Sequence, residues 1–138
     1  MKQLFVVILL VGFLVLPGCL GQGKTIELDV ETLKKQPYNT VTAPDPHLDM
    51  TIEFGGVFLR DVLNAFDIDM AEEIKVVAKD GYSAVIKWED LDLGILIAYT
   101  VDGKDIPEDT GGPIRIAFSE SAQKVYPPEA WVWWVTHL

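Results

Sequence analysis

Thirteen apolar positions from Leu4 to Leu16, with no charged or polar side chain among them, end at Pro17-Gly18-Cys19, and they take the start of this chain out of any globular core. A leading Lys2 followed by an apolar stretch of this length has the shape of an export signal. It falls short of the roughly 20 residues a spanning helix needs. The boundary Leu16-Pro17-Gly18-Cys19 resembles the lipobox of prokaryotic lipoproteins, in which the cysteine accepts a lipid, although Pro17 is an unusual occupant of its place. The expected division is a signal peptide over 1–18, a lipid-attached linker over 19–24 and a globular domain over 25–138. A retained N-terminal anchor helix is the rival reading. Either one places the domain at a cell membrane, lipid-anchored through Cys19 or held by a helix, on the extracytoplasmic face or in a periplasm.

Cys19 is the only cysteine, so the domain behind it has no disulfide framework and must be stabilised by packing. Its length suffices for one core without staples. The balance of 21 acidic against 11 basic residues excludes nucleic acid as a natural partner. It also keeps an anchored domain clear of an anionic lipid surface.

Hydropathy patterning predicts many strands and few short helices. Ile26, Leu28 and Val30 alternate with acids as in a strand with one wet face, and Thr32 to Gln36 reads as one helical turn ahead of Pro37. Pro37 to His47, with three prolines, reads as an extended loop. Met50, Ile52 and Phe54 alternate in a strand, Gly55-Gly56 reads as a turn, and Leu59, Val62, Leu63 and Phe66 have helical spacing. Asp80-Gly81 between two β-branched runs signals a hairpin with a two-residue link. Gly94 to Val101 is a strand, Asp102-Gly103 starts a turn, and Ile114 to Phe118 is another strand. The final run, Ala130 to Leu138, reads as a strand with Trp133 and Trp134 on opposite faces. The expected class is α+β, with mixed β-sheets and a few short helices.

Chemistry is signalled more by what is missing. The chain has no phosphate loop, no GxGxxG, no GxSxG and no HExxH, and lipidation would consume its only thiol. Of the two histidines, His47 lies beside Asp45 and Asp49, where it is a candidate metal ligand or general base; as a solvated loop residue it needs no further role. Four tryptophans are many for this size. Core packing is their default use, but with Trp133 and Trp134 on opposite faces one ring is left to line a cleft or partner surface, which makes Trp133 a candidate pocket residue. Arg60 is a candidate anion receptor, with surface pairing to Asp61 or Asp67 as the alternative.

The ordered segments Gly56-Val57-Phe58-Leu59-Arg60-Asp61-Val62-Leu63, Val76 to Ser83, Ile95 to Tyr99 with Asp102-Gly103-Lys104, and Gly111-Gly112-Pro113-Ile114-Arg115-Ile116 resemble the oxidoreductase molybdopterin-binding domain of the sulfite oxidase family. Lys35 to Thr42 is similar to the segment preceding that family's active-site loop. The resemblance implies the family's fold over 25–138 and a molybdenum held by a pterin dithiolene and one protein cysteine. That cysteine belongs in the loop corresponding to Ala43–Asp49, which here contains none. The segment implied to hold the cofactor's phosphate corresponds to Ser119–Lys124, where Lys124 is the only cation. An acidic domain so short of cations is a poor host for a phosphorylated pterin.

Two functions follow. One is a noncatalytic module binding a small ligand or an extracytoplasmic protein partner, with no cofactor. The other is a molybdopterin-dependent oxidoreductase subunit, with His47, Arg60, Tyr82 and Lys124 in its pocket. The lipid expectation is checked by expressing the whole chain in an exporting host: the wild type should partition into the detergent phase, and Cys19→Ser should shift the domain to the aqueous phase.

Overall fold

The computed structural model describes residues 24–138; the expected signal peptide, Cys19 and most of the expected linker lie outside them. The elements are α1 (Val30–Leu33), β1 (Asn39–Asp45), β2 (Met50–Phe58), α2 (Leu59–Ala65), β3 (Glu73–Ala78), β4 (Ser83–Lys87), β5 (Ile95–Val101), β6 (Lys104–Asp105), β7 (Arg115–Phe118), α3 (Glu120–Gln123) and β8 (Val135–His137). Short 3₁₀ turns at Trp88–Leu93, Glu108–Thr110 and Pro128–Ala130 complete the path. The class is α+β, built on antiparallel pairing. Among the described residues no helix is long and apolar enough to cross a membrane.

One sheet is built around β5, whose residues Ile95 to Thr100 are all buried. It pairs with β2 on one side, β1 pairs outside β2, and β6 and β7 share the other side of β5 end to end. The second sheet has the order β4-β3-β8. The C-terminal segment joins the two. Ile116 N–H donates to the Val132 carbonyl (3.0 Å) and Val135 N–H to the Ile114 carbonyl (2.8 Å), while β8 pairs with β3. Residues 26–28 run along the other edge of β8, with Leu28 N–H donating to the Thr136 carbonyl at 2.9 Å. Between the sheets Trp131 packs against Phe54 and Phe118, with ring centroids 5.6 and 5.5 Å away.

Several expectations are corrected by tertiary context. Pro37 to His47 is not a loop. Seven of its residues form β1, with Val41, Ala43 and Asp45 inward, and Pro44 is tolerated because β1 is an edge strand. Val30 begins α1 and does not continue the extended segment; Asp29 caps that helix by accepting from Thr32 N–H at 2.8 Å. The hairpin at Asp80-Gly81 is present with a longer loop. Ala78 N–H donates to the Tyr82 carbonyl across three residues, and only Gly81 has positive φ. The two-residue link is instead at Asp102-Gly103, where both φ values are positive (50° and 82°), as a type I′ turn requires. The strand predicted over Ala130 to Leu138 is confined to Val135–His137, because a 3₁₀ turn precedes it and Trp134 takes a left-handed φ of 55°.

Gly55-Gly56 makes no turn either; both lie inside β2 at a bulge against β5. A Cβ on Gly56 would lie 2.1 Å from the Ile97 carbonyl oxygen, so glycine serves close backbone approach here. Gly56→Ala should therefore lower unfolding stability by about 1–3 kcal/mol in urea denaturation, because the central strand must shift to admit a methyl.

Candidate functional site

The turn between β1 and β2 is shaped by Asp45, whose Oδ1 accepts from His47 N–H (2.8 Å) and Leu48 N–H (3.2 Å). That turn swings His47 over the C-terminal segment. The His47 Nε2 hydrogen-bonds the Pro128 carbonyl at 3.0 Å, and the imidazole meets Trp133 edge-on at 5.8 Å. From the β3–β4 hairpin Tyr82 donates its hydroxyl proton to the Glu129 carbonyl at 2.5 Å. Three of the sequence candidates, His47, Tyr82 and Trp133, thus meet around one cleft of about 320 Å³, together with Asp80, Glu129, Trp131 and Trp134.

Arg60 and Lys124 are not among the residues lining that cleft. Arg60, on α2, donates from Nε to Asp92 at 2.8 Å and lies 5.8 Å from the Trp88 ring. Its acid is therefore Asp92, and not Asp61 or Asp67. Lys124 caps the end of α3 and is exposed. Cys19 lies outside the described residues.

Beneath the cleft is a pair that pattern reading missed. Arg115, on β7, is fully buried, and its Nη2 lies 2.7 Å from Asp45 Oδ2, which is equally buried. Rings of Phe54, Trp131 and Trp133 stand 5.1, 5.7 and 5.0 Å from the guanidinium. Burial pushes the Arg115 pKa down and the Asp45 charge pushes it back up. Arg115 Nη1 donates to the Thr110 carbonyl at 3.2 Å, while Arg115 Nε and Trp133 Nε1 are buried without a hydrogen-bond partner. The sequence signal was available: a charged residue in the apolar run Ile114-Arg115-Ile116-Ala117-Phe118 needs a buried acid.

Glycine geometry seats the indoles. Gly111 has a φ of 102°, and a Cβ there would come within 2.6 Å of Trp133 Cγ. Trp134 donates from its backbone N–H to the Gly111 carbonyl (2.8 Å) and from Nε1 to the Glu108 carbonyl (2.7 Å). Lys79 pairs with the Glu108 carboxylate, which that hydrogen bond and charge hold below its ordinary pKa, and the Lys79 ammonium lies 5.9 Å from the Trp134 ring. The rings of Trp133 and Trp134 touch edge-to-face at 5.9 Å. They are not on opposite faces of a strand, because the left-handed Trp134 breaks the alternation.

Comparison with known proteins agrees with this architecture. The model of the oxidoreductase molybdopterin binding domain matches residues 30–124, and the chain belongs to that family. The sulfane dehydrogenase SoxCD from Paracoccus pantotrophus has a similar fold, with a TM-score of 0.61 at 18% identity over 78% of this chain. The chain spans about a third (33%) of that protein's length. No curated protein sequence matches it.

The family's cofactor calls for a thiolate beside the metal and cations around a phosphate. Residues 24–138 include no cysteine, the cleft lining has two acidic residues and no Lys or Arg, and Arg115 is closed off beneath Trp133. The residues present do not fit that group.

The buried pair sets a stability test. Arg115→Met leaves Asp45 as an uncompensated buried charge and should cost about 3–5 kcal/mol in urea denaturation. Asp45→Asn combined with Arg115→Met should recover much of that loss, since the asparagine oxygen still accepts from the His47 and Leu48 N–H groups.

Proposed function

We propose that this protein is a noncatalytic binding module that retains the molybdopterin-binding fold and uses the cleft at Trp133 for a small ligand, with the lipid on Cys19 holding the domain at the extracytoplasmic membrane face. The observation that carries the reading is the lining of the cleft. Aromatic and acidic residues line it, where a metal-pterin centre calls for a soft ligand and positive charge. Its volume of about 320 Å³ is at the small end of ligand sites. The β1–β2 turn, which the family resemblance aligns with the metal-bearing loop, spends its polar groups on its own structure: Asp45 satisfies the turn and Arg115, and His47 is tied to Pro128.

The Gly-rich stretch before Lys24 suits a short tether, and the absence of cysteine after position 19 suits a domain folded outside the cytoplasm without disulfides. Family membership supports the second reading, a molybdopterin-dependent oxidoreductase subunit whose metal ligand comes from a partner or solvent.

Metal and pterin analysis separates the two. The protein, exported from a host that makes the cofactor and purified without chelators, should contain no stoichiometric molybdenum and release no pterin fluorescence on denaturation. Stoichiometric molybdenum with pterin would overturn the binding-module reading.

A further inference from the structure

The composition of the cleft walls defines the charge of the occupant, given the reading of this cleft as a ligand site. Trp131, Trp133, Trp134 and Tyr82 are the aromatic residues of the lining, and Asp80 and Glu129 are its acidic ones. Indole faces carry negative electrostatic potential and attract cations that shed part of their water. The same rings already do so within the protein: the Lys79 ammonium lies 5.9 Å from Trp134, and the Arg115 guanidinium 5.0 Å from Trp133. Arg115 does not line the cleft, and Asp45 at 2.7 Å balances its charge, so it presents no net repulsion to a second cation. A formal charge of −10 further concentrates cations near the surface.

We infer that the cleft receives a small organic cation of the alkylammonium class. An inorganic divalent ion is disfavoured by the same lining. Among the described residues no three His, Cys, Asp or Glu side chains are grouped to hold a metal, and Asp80 Oδ1 is already engaged by Tyr82 N–H at 3.1 Å. An anion would meet two acidic residues and no Lys or Arg in the lining, and Lys79 beside Trp134 is already paired with Glu108. An uncharged apolar molecule would gain from the rings and nothing from Asp80 and Glu129, so the carboxylates distinguish the two classes. Substitution of both by their amides preserves shape and removes charge alone.

The test is a calorimetric titration of the full chain, held in a nonionic detergent, with choline and with its uncharged isostere 3,3-dimethylbutan-1-ol. Choline should bind at least about tenfold more tightly than the alcohol, corresponding to about 1.4 kcal/mol. Asp80→Asn combined with Glu129→Gln should erase that difference while urea denaturation remains close to wild type. Trp134→Leu should weaken choline binding in the same direction and gives a second check should the double variant unfold. Equal binding of the two probes, or a choline affinity untouched in the folded double variant, overturns the charge assignment and leaves the cleft as a ligand site. Failure of both probes to bind a folded, molybdenum-free sample overturns this inference, whereas a molybdenum-loaded sample overturns the function on which it rests.

Discussion

Two opposite charges buried 2.7 Å apart, on strands that are not neighbours in the sheet, set the geometry of everything above them. Asp45 ends β1 and Arg115 begins β7, with β2 and β5 between. A buried guanidinium without its acid is costly enough that this contact fixes how the β1–β2 turn sits on the C-terminal segment. One carboxylate serves both purposes. Its Oδ2 faces Arg115, while its Oδ1 holds the backbone of His47 and Leu48. The position of His47 is therefore inherited from a charge beneath it, as is the position of Trp133, which packs over the guanidinium.

Local pattern was legible wherever one face of an element is wet or one side chain period dominates. The spacing of Leu59, Val62 and Leu63 becomes α2, and the apolar run after Gly94 becomes the buried β5. Prolines misled in β1, where position at a sheet edge makes Pro44 harmless; edge or centre is a tertiary property that no window of sequence contains. The glycine pair at 55–56 misled for a related reason. Glycine permits a turn and also a close approach, and only the location of the Ile97 carbonyl decides between them.

The site was half legible. Aromatic and histidine positions pointed to the cleft because those residue types are sparse and chemically distinctive, but nothing local tells that Arg60 is occupied by Asp92, 32 positions away, or that Lys124 ends a helix away from the cleft. The resemblance in ordered segments carried the fold better than any single motif, and family membership over residues 30–124 agrees with it. A fold shared with oxidoreductases leaves the chemistry of a particular cleft to its own side chains.

The pairing of residues 26–28 with 136–138 has a mechanical side. Lys24 is where the described chain starts, and the antiparallel backbone bonds Ile26–Leu138 and Leu28–Thr136 follow within a few residues. Tension applied at that end would load these bonds along the strand direction, where neighbouring bonds share the load and do not open one by one. The strand they grip is β8, whose preceding residues are the indoles of the cleft. Force entering from the N-terminal side would thus reach the strand that directly follows the segment shaping the cleft wall.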